Sequence, residues 1–89
     1  MYINKMIFME ANEIGNLETK YGYNVVSQTD YGTNEIIGDQ LQNLIAELEA
    51  GEDFDFTKEE LMKDLNQYLG TDVVKMLLNN ELDFIQVIY

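Results

Sequence analysis

The sequence predicts one α+β domain over residues 1–89: a small antiparallel sheet of about three strands packed with three helices, in the order ββαααβ. Three observations predict it. β-branched and aromatic residues gather near both ends of the chain and around residue 25, with period-2 alternation in the first stretch. Apolar residues recur at helical spacing from Ile37 to Leu78. Glycine or asparagine closes each periodic stretch. With 46% apolar residues, the chain is too rich in core formers to be a disordered acidic tail.

Residues 2–10 read as the first strand, with Ile3, Ile7 and Met9 on one side. Residues 12–16, with Gly15, read as a turn. Residues 21–27 follow as a second strand that forms a hairpin with the first, Gly22 marking a bulge. Residues 30–34 have turn chemistry. Ile37, Leu41, Leu44, Ile45 and Leu48 then define a helix, with Asn34 or Thr33 as its N-cap and Gly51 in the left-handed position after its end. Thr57-Lys58-Glu59-Glu60 has capping-box spacing and opens a second helix with Leu61, Leu65, Tyr68 and Leu69 inward and Gly70 as its stop. Thr71 begins a short third helix with Val73, Val74, Leu77 and Leu78 as its apolar face, ended by Asn79-Asn80. Residues 82–89 are rich in β-formers and read as a last strand pairing with the first two.

Charge is the outlying property. Seventeen carboxylates face five lysines, with no arginine or histidine, for a net charge of −12. Such a surface repels nucleic-acid phosphates and anionic lipid headgroups, so neither direct nucleic-acid binding nor membrane binding is expected, and a cationic partner is the natural complement. No stretch approaches a membrane span and the first residues lack the signal-peptide pattern, so the expected location is the cytoplasm. Without cysteine there is neither a disulfide framework nor a thiolate metal site. Without histidine there is no imidazole general base, which leaves carboxylates, lysines, tyrosines and hydroxyls for any catalysis. A domain this small offers little concave volume for such chemistry, and the expectation is a protein that is not an enzyme and uses no cofactor.

The acids are unevenly placed. Residues 47–64 hold eight carboxylates and two lysines, a net of −6 and half of the whole excess. The candidate partner-binding residues are therefore Glu47, Glu49, Glu52, Asp53, Asp55, Glu59, Glu60 and Asp64. The run from Asp53 opens like a calcium loop, but loop positions six, eight and twelve are Lys58, Glu60 and Asp64 where glycine, an apolar residue and a bidentate glutamate are needed. No metal site is expected, and Thr57 capping a helix is the better reading. Phe54 and Phe56 alternate with Asp53 and Asp55; they are expected to anchor the connection to the core, the alternative being aromatic anchors of an interface. Glu35 with Asp39, and Glu60 with Asp64, read as like-charged i, i+4 pairs on helices. Each such pair costs about 0.2–0.5 kcal/mol, so the negative charge itself is the useful property.

In size, in the acidic tract from Glu47 to Asp64 and in its Ile/Asn/Lys/Tyr-rich wording, the chain resembles the small acidic phage-encoded inhibitors of bacterial defence nucleases, the anti-CRISPR and antirestriction proteins, several of which imitate DNA. In Tyr31-Gly32-Thr33-Asn34 preceding Glu35 and Asp39 it also resembles the barstar-like nuclease inhibitors, whose tryptophans it lacks. Both resemblances imply carboxylates occupying a cationic groove built for phosphates. The first implies a bacterial defence nuclease as partner, a CRISPR effector of the Cas9 type above all, and a host-cell cytoplasmic location for a phage-encoded chain. The alternatives are an antitoxin or immunity protein for a basic toxin, and an acidic adaptor subunit.

Overall fold

The structure, a computed structural model, describes residues 6–28 and 34–88. Its elements are β1 (Met6–Glu10), α1 (Ala11–Tyr21), a 3-10 turn (Gly22–Asn24), β2 (Val26–Gln28), β3 (Asn34–Ile37), α2 (Gly38–Glu49), α3 (Lys58–Leu69), α4 (Thr71–Leu78) and β4 (Phe84–Ile88). The α+β class stands, but the sheet has four strands: β2, β3 and β4 each run antiparallel to the next across the sheet, β3 being a strand the sequence reading did not contain. The order across the sheet is β1-β4-β3-β2, with β1 running parallel to β4.

Two elements correct the sequence reading. The expected turn over residues 12–16 lies within α1, so the chain crosses from one edge of the sheet to the other and β1 and β2 are not a hairpin. Ile14, Leu17 and Tyr21 are buried at helical spacing, and this burial outweighs the poor helix propensity of Gly15 and its asparagine neighbours. Tyr21 is accordingly the last helical residue rather than the first of a strand. Gly22 opens the 3-10 turn at φ +58° instead of forming a bulge. The second correction is β3. Asn34 is not an N-cap but the first residue of a strand, in which Asn34 and Ile36 point inward, and Glu35 lies on that strand rather than on a helix. Ile37 is the last strand residue, extended at φ −102° and ψ 129°. Thr33 and most of the expected 30–34 turn fall outside the described residues. The last strand pairs with β1 and β3, not with β2.

The remaining elements follow their sequence signals. In α2, Leu41 and Leu44 are buried while Ile45 and Leu48 are half-buried against the core. Its end is a Schellman motif: Gly51 N–H donates to Leu48 O (3.2 Å), Glu52 N–H donates to Glu47 O (3.1 Å), and Gly51 takes φ +87°, a value that favours glycine. In α3, Leu61, Leu65 and Leu69 are buried, and Val74 and Leu77 do the same in α4. Val26, Ile36, Ile85 and Val87 face these helices from the sheet, alternating with the partly exposed Ser27, Glu35, Phe84 and Gln86. One core results, roofed by helices on one side of the sheet.

Gly38 joins β3 to α2 where the backbones of α4 and the residues before β4 come close. Its N–H donates to Asp83 O at 2.8 Å, and a Cβ there would meet three backbone oxygens, of Leu77, Leu82 and Asp83, at 3.0, 3.1 and 3.3 Å. Backbone cannot turn aside as a side chain can, so Gly38→Ala should destabilise the domain by about 1–3 kcal/mol despite alanine's better helix propensity. Urea unfolding checks this: an unchanged midpoint would show that the 80s loop gives way freely.

Candidate binding edge

The acidic tract occupies the corner between α2 and α3. The Schellman motif turns the chain out of α2, Thr57 caps α3 by accepting from the Glu60 N–H at 3.1 Å, and residues 50–57 span the gap. The two phenylalanines tie the connection down as expected. Phe56 packs edge-to-face on Tyr21 (centroids 4.7 Å apart, 87°), and Phe54 packs against Phe56 at 5.4 Å, both half-buried against the core. Asp53 and Asp55, on the opposite side of the extended segment, are exposed. Anchoring the aromatics thus displays the acids.

The eight candidate residues separate into two groups. Glu47 and Glu49 stand exposed in the last turn of α2, Glu52, Asp53 and Asp55 in the connection, and Glu59 in the first turn of α3. Glu49, Glu52, Asp53 and Glu59 line one shallow groove together with Phe54 and Phe56, while Glu47 faces a neighbouring groove on the other side of α2. Glu49 is paired with Lys58 at 2.6 Å; Glu47, Glu52, Asp53, Asp55 and Glu59 have no ion pair among the described residues. The α2 acids are also in the wrong place for the helix. Its last turn carries no basic residue, and the macrodipole there disfavours negative charge.

Glu60 and Asp64 are different. Both turn toward α1, where the Lys20 ammonium lies 2.7 Å from the Glu60 carboxylate and 2.8 Å from that of Asp64. The Tyr21 hydroxyl donates to the same Asp64 carboxylate at 2.5 Å. The expectation of an unneutralised like-charged pair is therefore corrected for both. Lys20 bridges Glu60 and Asp64, and Glu35 and Asp39 do not share a helix. The barstar-like placement of Glu35 on an acidic helix falls with it. Asp64, the twelfth position of the failed calcium loop, is likewise committed to Lys20 and Tyr21.

Titration of this clasp follows from its geometry. The hydrogen bonds from Lys20 and Tyr21 hold the Asp64 carboxyl below the usual carboxylate range. The same bonds to Asp64 and Glu60 push the Lys20 ammonium up. Burial first, and the Asp64 carboxylate second, push the Tyr21 phenol up. Lys20 is thus kept as an ammonium and Tyr21 as a phenol, neither of which is nucleophilic. Among the described residues no three carboxylates converge to hold a metal ion, and no helix is long and apolar enough to cross a membrane. Sequence reasoning missed the clasp because Lys20 and Tyr21 were not seen as helical; the spacing of Ile14, Leu17 and Tyr21 was the signal that could have found it.

No protein-family profile, curated protein or solved structure matches the chain.

Asp64→Asn removes the charge at the centre of the clasp and should lower stability by about 1 kcal/mol near neutrality, a modest value because the partner Lys20 is water-exposed. The depressed Asp64 carboxyl contributes stability that is complete above its unfolded pKa, about 3.9, and is lost as the pH falls through its folded value. The raised Lys20 and Tyr21 groups contribute stability complete below about pH 10 and lost as the pH rises through their folded values. The melting-temperature difference between parent and Asp64→Asn should therefore be constant from about pH 5 to 9, close below about 4, and begin to close above about 10. Thermal unfolding followed by circular dichroism reads this directly, and a difference independent of pH would remove the clasp as its source.

Proposed function

We propose that the protein is a non-catalytic inhibitor whose α2–α3 edge occupies the basic nucleic-acid-binding channel of a nuclease, a CRISPR effector of the Cas9 type, and so blocks DNA binding. One observation carries the reading: Glu52, Asp53, Asp55 and Glu59 are held exposed at the α2–α3 corner, with Glu47 just around α2, all without ion pairs among the described residues, in a chain whose five lysines are spent partly elsewhere. Lys20 serves the α1–α3 clasp and Lys58 answers Glu49. Carboxylates on a rigid corner present negative charge at the spacing of a folded surface, and a lysine- and arginine-lined channel supplies the complementary field that steers association. The binding set is narrower than the sequence alone indicated. Glu60 and Asp64 serve the fold, and Glu49 reaches a partner only by exchanging Lys58 for it.

The test is a guide-loaded Cas9-type effector with a labelled target duplex. The protein should reduce duplex binding and cleavage. A variant with Glu52→Gln, Asp53→Asn, Asp55→Asn and Glu59→Gln should lose at least tenfold in inhibitory potency, associate more slowly and depend less on salt. Its fold should be retained, since all four side chains are exposed. The protein alone should not bind the duplex at physiological salt. A folded variant of parental potency would sink the proposal, as would inhibition that is indifferent to ionic strength.

A further inference from the structure

Tyr23 is a large side chain with an apolar ring that stands exposed, at 76% of its surface. Its backbone is clamped. Gln40 of α2 donates from Nε2 to the carbonyls of Tyr23 at 2.7 Å and Asn24 at 3.2 Å, and its Oε1 accepts from the Ser27 hydroxyl. The aromatic ring is thus presented by a turn fixed to a helix, so little backbone freedom is left to lose on binding. Beside it runs a shallow groove that Tyr23 shares with Asp39, Asn43 and Glu47 of α2. Asp39 and Glu47 are exposed and without an ion pair among the described residues, and Glu47 is also the first acid of the α2–α3 edge. The groove continues that edge around α2.

An aromatic face next to two carboxylates fits one cationic side chain better than the other. A guanidinium is planar and weakly hydrated, stacks on a tyrosine ring and donates through its fork to carboxylates. An ammonium is a compact, strongly hydrated point charge. We propose that the groove of Tyr23, Asp39 and Glu47 is an arginine-selective docking site for the basic partner, in which a guanidinium stacks on Tyr23 and donates to the flanking carboxylates. The inference rests on the reading of the protein as an acidic binder and adds what charge alone does not supply, since Coulombic attraction treats arginine and lysine alike.

The probes are fluorescein-labelled nona-arginine and nona-lysine, titrated with the purified protein at low salt and followed by fluorescence anisotropy. Nona-arginine should bind the parent about threefold to tenfold more tightly than nona-lysine. Tyr23→Ala should abolish that preference by weakening nona-arginine alone, and Tyr23→Phe, which keeps the ring, should preserve it. Neutralising Glu52, Asp53, Asp55 and Glu59 should weaken both peptides and leave the preference intact. Equal affinity of the parent for the two peptides, or a preference that survives in Tyr23→Ala, overturns the arginine site while leaving the acidic edge standing. Failure of both peptides to bind overturns both. Self-association of the parent that Tyr23→Ala abolishes in sedimentation velocity also overturns the proposal, because the groove would then belong to a second copy of the chain. Circular dichroism of Tyr23→Ala should match the parent, as expected for a side chain this exposed.

Discussion

Coulombic self-repulsion is the constraint under which the rest of the structure has to be built. A chain of net charge −12 gains less from compactness than its apolar content promises, and it has five cations with which to relieve the strain. One of them, Lys20, is placed where two acids of α3 would otherwise face each other and the C-terminal end of α1. There it bridges Glu60 and Asp64 while Tyr21 donates a further hydrogen bond to Asp64. That contact fastens α1, and with it the buried Ile14, Leu17 and Tyr21, over a core that the other helices leave incomplete. Tyr21 in turn receives Phe56, which seats the connection between α2 and α3. The clasp and the display of acids on that connection are thus consecutive links of one chain of contacts.

The remaining acids are not treated in the same way. Glu52, Asp53, Asp55 and Glu59 stand at the α2–α3 corner, with Glu47 just around α2, where no lysine answers them among the described residues, and Glu47 adds to the unfavourable end of the α2 dipole. Glu59, at the start of α3, is in a favourable place for its helix. Folding therefore has a use for Glu60, Asp64 and Glu59, and Glu49 is answered by Lys58, but Glu47 and the acids of the connection have no such role, and this surplus is what a cationic partner would neutralise. Tyr23, fixed by Gln40 at the far side of α2, extends the same surface with an aromatic face.

Much of the architecture was legible in the residues, and the failures have physical causes. Elements with strong periodicity and end signals were read well. Gly51 fell at the left-handed residue of a Schellman motif, Thr57 at a working cap, and Gly70 at the end of α3 with φ +94°. α1 was lost because Gly15 and its asparagine neighbours favour turns, whereas the core contact of Ile14 and Leu17, which no local propensity contains, decides the matter. β3 was lost because Ile37 happens to lie in phase with Leu41 and Leu44, so a four-residue strand was absorbed into the helix it precedes. The acidic tract was legible as composition, but its division was not. Lys20 lies 44 residues from Asp64, and only the fold shows that they meet.

If Glu47 and the acids of the connection are surplus to folding while the clasp acids serve it, neutralising the former must not weaken the domain. The most direct measurement is urea unfolding of the variant carrying Glu47→Gln, Glu52→Gln, Asp53→Asn and Asp55→Asn, compared with the parent at low salt and again near 1 M salt, where the screening length falls to about 3 Å. The account predicts a variant at least as stable as the parent at low salt, with any gain shrinking as salt screens the repulsion. A variant clearly less stable at low salt would contradict it, since these four acids would then be part of what holds the fold together.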